Sequence, residues 1–593
     1  MRDGGKAKMK KKYYTKERNV QIVIAILKAN GIRKVIVSPG TTNMTFVGSV
    51  QHDPFFEIYS SADERSAAYM ACGMAEESRE PVVISCTGAT ASRNYYSGLT
   101  EAYYRKLPIL AITSHQGTDC IGHLIAQNID RRQVANDIAR LSVDIPVVHD
   151  KRDEHFAEME ANKAVLELFR RGGGPVHINL HTHYCQDFSV KQLPSCRIIR
   201  HHSSYDNLPS LPSGKIAIFV GSHKTFTSSQ KYAIEAFCAE HDSVVFCDHT
   251  SGYYGKYRIQ SPLLFTQCYY SSKLNDFSLL IHIGEVSGDY TAGRINQKEV
   301  WRVNQDGETR DTFNGLTRVF EMPEEFFFKA YTTADTRHKK DGLVIGFRKE
   351  LDKVMTSIPD LGFSNIWIAQ QTAPRIPVGS RVHLGILNTL RTWNFFEFPD
   401  MVESTCNVGG FGIDGAVSSL IGASLANSQR LCFGVFGDLA FFYDMNVLAN
   451  RHVGKNVRIL LINNGKGAEF EMYNHPCSAF GEAADPFMAA AGHYGNKSPL
   501  LVKHYAEDLG YEYLTASNKD DYLTVLKRFV TSEITEKPMI LEAFTNSFEE
   551  SDMLKKFNQT LTDPLLVAKR KVTDILKNTI GKGNVEQIKK VLN

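Results

Sequence analysis

Apolar runs of four to six residues recur along this chain, most of them closed by Gly, Ser or Asn. Val35–Val37, Pro81–Ile84, Ile109–Ile112, Ile216–Val220 and Arg458–Ile462 are examples. Runs without polar alternation read as strands buried on both faces of parallel sheets, and the helix-length segments between them read as crossovers. The predicted class is α/β, with Rossmann-like parallel sheets. Two breaks interrupt the pattern. The stretch Leu193 to Gly214 is rich in Pro, Ser, His and Arg, and Tyr331 to Gly342 is polar, so both read as linkers. Three domains follow, at about 13–192, 213–332 and 360–548, with a basic helical tail at 560–593. The Lys-rich amphipathic part of that tail, from Val567 on, reads as a surface helix packed on the last domain. No repeat of about 20–50 residues is visible, which argues against a solenoid.

Composition narrows the class. The 593 residues suffice for three or four domains at roughly 150 residues each. With 43 % apolar and 22 % charged residues the chain is ordinary globular material, and a net charge of +3 gives no reason to expect nucleic acid as a partner. No run approaches the ~20 apolar residues of a membrane span, and the basic Met1 to Lys12 lacks the apolar core of a secretory signal. Eleven cysteines without a Cys-x-x-Cys pair fit reduced thiols, hence a cytoplasmic enzyme rather than a disulfide or zinc framework.

The third domain carries the chemistry. Gly410-Phe-Gly412-Ile-Asp-Gly415 has the G-x-G-x-x-G spacing, precedes a small-residue segment from Ala416 to Ala426, and is followed 23 residues later by Asp438. A dinucleotide-binding oxidoreductase using NAD or FAD is therefore one reading. A second spacing separates the alternatives. Gly437-Asp438 opens a helical segment, Leu439 to Arg451, and the next strand ends in Asn463-Asn464-Gly465. One helix plus one strand later, Asn464 comes to lie beside Asp438 at the carboxyl edge of a parallel sheet. A carboxylate and an amide oxygen are hard ligands suited to Mg²⁺, and the helix start would turn free amides toward a diphosphate.

Gly437-Asp438 followed by Asn463-Asn464 resembles the metal–diphosphate motif of the thiamine diphosphate (ThDP) enzymes. Within them, Gly412-Ile413-Asp414-Gly415, Gly437-Asp438-Leu439-Ala440 and Tyr443-Asp444-Met445-Asn446 are most similar to the SEPHCHC synthase group, which joins 2-oxoglutarate to isochorismate. The resemblance spans about residues 20–548 and implies ThDP and Mg²⁺ as cofactors. It implies Asp438, Asn464 and Lys466 at the metal, and Gly40, Glu64, Gly412, Ile413, Gly437, Leu439 and Ala440 around the cofactor. Glu64, in Ala62-Asp63-Glu64-Arg65, would hydrogen-bond the aminopyrimidine and serve as the catalytic acid. The segment after it carries Ala67, Ala68, Ala71, Cys72 and Ala75 at helical spacing, a small face for close packing. Ile413 matches the apolar wedge that keeps the cofactor bent, and Asn94 and Gln127 match polar catalytic positions. The resemblance also implies a homodimer or homotetramer, with sites between the first domain of one subunit and the third of another. The middle domain resembles a central domain with no strong signal for FAD.

The sequence departs from the synthase pattern where that group holds its dianionic substrates. The loop Pro39-Gly40-Thr41-Thr42-Asn43 has Thr42 at an arginine position, Asn407-Val408-Gly409 has Val408 at another, and His115-Gln116-Gly117 replaces Asp-Arg-Pro. Arg391 keeps a matching arginine. Bidentate arginine–carboxylate pairs are hard to replace with neutral groups. The expectation is therefore a ThDP- and Mg²⁺-dependent decarboxylase or carboligase. It would transfer an acyl-anion equivalent from a small 2-oxo acid such as pyruvate to an electrophilic acceptor, with Thr41, Thr42, His115, Gln116, Arg391 and Val408 near the substrates. A true SEPHCHC synthase, a simple 2-oxo acid decarboxylase and a catalytically silent scaffold are the other readings alongside the oxidoreductase.

Overall fold

The computed structural model describes residues 12–131, 133–333, 341–493 and 497–568. Residues 1–11 of the basic head and 569–593 of the tail expected at 560–593 lie outside the described residues. Two compact units divide the chain, 1–201 and 202–593.

The first unit is built on a six-stranded sheet. Its order is Glu57–Ser60, Lys34–Val37, Val82–Thr87, Ile109–His115, Val176–His181 and Ser142–Ile145, and every pairing is parallel. The apolar runs read from the sequence form its middle, with Val35, Ile84, Leu110, Ile112 and Ile178 fully enclosed. The helix Glu64–Ser78 buries Ala67, Ala68, Ala71, Cys72 and Ala75, the small face expected of it. Its partner helix Tyr96–Arg105 comes so close that a Cβ at Gly98 would lie 2.5 Å from the Ala68 Cβ. Overpacking a tight contact costs about 1–3 kcal/mol, so Gly98→Ala should lower unfolding stability by that amount in denaturant titrations.

The second unit holds two sheets. One runs Arg258–Gln260, Val244–Cys247, Ile216–Val220, Phe277–Ile283, Gln297–Asn304, Leu316–Glu321 and Arg200–Ser203. The last of these strands falls inside the stretch 193–214 expected to be a linker. It is an edge strand paired on one side only, with Leu316–Glu321, so it needs no apolar run. His202 accepts a hydrogen bond from Arg318 at 3.1 Å and stacks on Phe320 with ring centroids 5.0 Å apart. The other sheet is parallel throughout, in the order Glu403–Cys406, Arg381–Leu384, Cys432–Gly437, Val457–Asn463, Met539–Phe544 and Glu512–Ala516. Helix Gly342–Ser357 packs its Phe347 against Phe246 and Phe277 of the first of these sheets, and helix Ser547–Phe557 follows the strand Met539–Phe544 of the second. All eleven cysteines are unpaired, and among the described residues no helix is long and apolar enough to cross a membrane.

Candidate active site

In an open parallel sheet, ligands bind outside the carboxyl ends of the strands where the strand order reverses. In the first unit that point lies between Lys34–Val37 and Val82–Thr87. Gly40 follows the first of these strands, and a Cβ there would lie 2.7 Å from the Thr87 Cβ, so only glycine allows the approach. Thr42 is buried. Its hydroxyl is hydrogen-bonded to that of Thr87 and accepts from the Gly88 N–H at 3.3 Å. The residue at the family's arginine position therefore bolts two loops together. Thr41 beside it is exposed. A cavity of about 540 Å³ opens at this edge, lined by Pro39, Gly40, Asn43, Ser61 and Ala62 among others.

Glu64 stands at the mouth of the same edge. Asp63 caps its helix, accepting from the Arg65 N–H at 3.1 Å and from the Ser66 hydroxyl at 2.7 Å, which fixes Glu64 on the first turn. Asn94 donates from Nδ2 to Glu64 Oε2 at 3.0 Å. The two expected catalytic groups are thus one hydrogen-bonded pair. Gln127 is not joined to them by any hydrogen bond among the described residues. It sits exposed in the loop after Ile109–His115 with φ +66°, a conformation uncommon outside glycine. Gln116 accepts from Asn128 Nδ2 at 3.5 Å. His115 is buried, and burial is the largest influence lowering its pKa.

The second unit supplies the other cluster. Its sheet reverses between Arg381–Leu384 and Cys432–Gly437, and Asp438 follows the latter strand directly. Asp438 is 4 % exposed. Its Oδ1 accepts from the Leu439 N–H at 2.7 Å and its Oδ2 from the Gly465 N–H at 2.6 Å. The expected adjacency of the Gly-Asp and Asn-Asn segments is therefore present. The expected helix from Leu439 to Arg451 is shorter. It runs Asp438–Asp444, then turns into a 3₁₀ segment, Met445–Ala449, because Asp444 leaves helical geometry to hold the Ser418 hydroxyl at 2.6 Å. Leu439 and Ala440 lie on its first turn. One amide expected to face a diphosphate, that of Leu439, is already held by Asp438.

Lys466, expected at the metal, has its side chain engaged elsewhere. Its Nζ donates to Glu471 Oε1 at 2.7 Å and Asp485 Oδ1 at 2.9 Å. Burial alone would lower the ammonium's pKa, but these two hydrogen bonds outweigh it and leave the pKa raised. A saturated ammonium has no lone pair for a cation, so the oxygen Lys466 offers is its main-chain carbonyl. Gly412 and Ile413 lie in the loop before helix Ala416–Ala426. Ile413 is half-buried, outside the enclosed core. Gly415 caps that helix at φ +65° with nothing within 4 Å of a Cβ, so it does not serve the close helix–strand packing that the third glycine of a dinucleotide fingerprint provides.

Arg391 is not a free cation. Its Nη1 and Nη2 donate to Glu469 Oε2 and Oε1 at 2.9 and 2.5 Å, and its guanidinium lies 4.6 Å from the Tyr290 ring centroid. Val408 is buried against Gly288. Sequence reasoning missed Glu469, since no local period joins residues 78 apart. Removing one partner of a buried ion pair typically costs about 3–5 kcal/mol. Glu469→Ala should lower stability by that order in thermal or urea unfolding, and Arg391→Met in the same background should restore most of it.

The Asp438 surroundings fit a divalent cation. Burial pushes its carboxyl up to about 7 against the hydrogen bonds from four backbone amides, Leu439, Gly465, Asn464 and Lys466. A carboxylate so poorly solvated favours an adjacent positive charge. Asn464 adds an amide oxygen, which accepts only a long 3.4 Å contact from the Lys466 N–H. Carboxylate, amide and carbonyl oxygens form the donor set that Mg²⁺ takes, with positions left for phosphate oxygens.

Comparison with known proteins agrees with this arrangement. Residues 18–135 match the family described as thiamine pyrophosphate enzyme, N-terminal TPP binding domain; thiamine pyrophosphate is another name for ThDP. Over 573 residues the chain is 30 % identical to a 2-succinyl-5-enolpyruvyl-6-hydroxy-3-cyclohexene-1-carboxylate synthase of Bacteroides fragilis, covering 92 % of this chain and 100 % of the relative. The synthases of Bacteroides thetaiotaomicron and Flavobacterium johnsoniae are 29 % and 28 % identical, with 92 % and 93 % of this chain and 99 % and 100 % of theirs aligned. From end to end of these relatives, then, the chain belongs to the thiamine pyrophosphate enzymes acting on C–C bonds, as a divergent relative of the 2-succinyl-5-enolpyruvyl-6-hydroxy-3-cyclohexene-1-carboxylate synthases.

Proposed function

We propose that this enzyme uses ThDP and Mg²⁺ to decarboxylate a small monoanionic 2-oxo acid and to pass the acyl-anion equivalent to an electrophilic acceptor. The observation that carries the substrate class is the charge state of the positions where dianions would be held. Thr42 is bonded to Thr87, Val408 is apolar, Gln116 is neutral, and Arg391 is neutralised by Glu469. A second carboxylate would find little compensation there. The acceptor is accordingly neutral, or carries its charge far from its carbonyl, with Thr41 and His115 as its polar contacts.

When bound, ThDP supplies the electron sink for this chemistry. The protein's part is position and proton transfer. Asp438 and Asn464, with the Lys466 carbonyl, hold the metal and through it the diphosphate. Gly40 and Gly412 let the chain approach the cofactor closely, and Ile413 presents an apolar side chain to it. Glu64 holds the proton shared with the aminopyrimidine, and the Asn94 amide fixes the Glu64 carboxyl by its bond to Oε2. Gln127 reaches the reacting groups from its loop. Two copies of the chain assemble so that Glu64 of one subunit and Asp438 of another serve one site.

A second reading, the synthase reaction named for the relatives, is favoured by one group. Arg131 is 3 % exposed, and neither of its terminal nitrogens has a hydrogen-bond partner among the described residues. The proposed reaction is tested by ¹³CO₂ release from a panel of 1-¹³C-labelled 2-oxo acids with the ThDP- and Mg²⁺-loaded protein. Release from pyruvate-sized acids is expected. Release from none of the panel, with or without acceptors, would overturn it.

A further inference from the structure

The strand Val176–His181 reads Val-His-Ile-Asn-Leu-His, so His177, Asn179 and His181 share one face of the first sheet. That face is buried and polar. His177 is bonded on both ring nitrogens, to the Thr113 hydroxyl at 2.7 Å and the Ser142 hydroxyl at 2.8 Å. Higher on the face the pattern changes. Parallel register sets His115 directly opposite His181 and Asp144 opposite Asn179. His181 Nε2 lies 2.7 Å from Asp144 Oδ2, and His115 Nε2 lies 3.7 Å from Asp144 Oδ1. One ligand atom from each of the three residues falls within 4.8 Å of the others. His115 is 5 % exposed, yet among the described residues its Nε2 has no partner within hydrogen-bond distance. A buried polar atom without a partner is uncommon and calls for an occupant.

The geometry points to a transition-metal site, of the Zn²⁺ class, formed by His115, Asp144 and His181 at the carboxyl ends of three adjacent strands. Ligands at the usual distances from a tetrahedral zinc are about 3.3–3.5 Å apart. The two separations here, 2.7 and 3.7 Å, straddle that value, so small side-chain shifts complete the shell. Two imidazoles and one carboxylate form a three-ligand set that leaves a position open, and they select Zn²⁺ or Co²⁺ over Mg²⁺, which prefers oxygen. The buried Arg131 acts on His115 as a repelling charge and opposes any cation here, so binding must come from the two nitrogen bonds and the Asp144 carboxylate. Asn179 Nδ2 donates to Asp144 Oδ1 at 2.8 Å and fixes the carboxylate from behind. Loading moves the proton of each ring from Nε2 to Nδ1. His115 then gives up only a long contact, 3.3 Å, in which its Nδ1 accepts from the Gly117 N–H. The Asp144 side chain is 37 % exposed, which provides a route in.

This site is separate from the oxygen ligands around Asp438; it shares His115 with the acceptor contacts proposed above, and because it is read without substrate or ThDP it does not rest on that reaction. Chelator-treated full-length protein, kept in Mg²⁺ without ThDP, is titrated with Co²⁺ and then Zn²⁺, read by visible absorption and calorimetry. One equivalent of Co²⁺ is expected with the spectrum of a low-coordinate site, displaced by Zn²⁺. Asp438→Asn should bind as the wild type does. His181→Gln and Asp144→Asn should each weaken binding at least ~100-fold, beyond the roughly 10–100-fold typical of losing an outer-shell partner. Should those variants fail to fold, X-ray absorption at the zinc edge of the wild type should report two imidazole nitrogens and a carboxylate oxygen at about 2.0–2.2 Å. No tight equivalent, unchanged affinity in both folded variants, or a sulfur or all-oxygen shell would overturn the assignment.

Discussion

Glu64→Gln should slow exchange of the C2 proton of bound ThDP by about 10²–10⁴, the usual worth of a positioned acid or base, while leaving cofactor affinity nearly unchanged. Glutamine keeps the length of the side chain and can still meet Asn94, which lies 3.0 Å from the Glu64 carboxylate. What it loses is the proton. Asn94→Ala should give a smaller loss of the same kind, because Asn94 holds the carboxyl in place. Exchange measured by quenched-flow NMR distinguishes the cases. An unchanged rate in Glu64→Gln would remove this residue from the proton path.

The second large effect concerns the donor. With Thr42, Gln116 and Val408 offering no charge and Arg391 paired to Glu469, a dianionic donor leaves one carboxylate desolvated and unpaired. Uncompensated burial of a charge costs several kcal/mol, which corresponds to about two orders of magnitude or more in affinity. The expected kcat/KM for pyruvate therefore exceeds that for 2-oxoglutarate by at least ~100-fold. The measurement is a comparison of the two donors, each with and without isochorismate. Two other cations of the first unit are engaged: Arg93 with the Tyr96 hydroxyl and the Asp130 carbonyl, Arg105 with Glu76 and Glu101. If 2-oxoglutarate with isochorismate proves the best pair, Arg131 is the cation to remove next.

Much of the fold and of the candidate cofactor site is legible in the sequence because the determinants are local. The face Ala67, Ala68, Ala71, Cys72 and Ala75 follows helical periodicity, and all five residues are buried. The Asp438–Asn464 spacing equals one helix plus one strand, and the sheet places Gly465 against the Asp438 carboxylate. What cannot be read locally depends on residues far apart in the chain. Glu469 cancels Arg391 across 78 residues, and the Lys466 ammonium pairs with Glu471 and Asp485. His115, Asp144 and His181 come from three strands whose order, not their sequence, makes them neighbours. The strand Arg200–Ser203 gives no signal because an edge strand of Arg, His and Ser has no apolar signature.

Whether this chain binds ThDP through a metal held at Asp438 and Asn464 is tested most directly by thermal unfolding of the purified protein with ThDP, with Mg²⁺, with both, and with NAD or FAD. ThDP and Mg²⁺ together, at about 100 times the dissociation constant, should add about 2.7 kcal/mol of stability. Either alone should add much less, and Asp438→Ala should abolish the joint effect. Stabilisation by NAD or FAD with none from ThDP and Mg²⁺ would contradict the account.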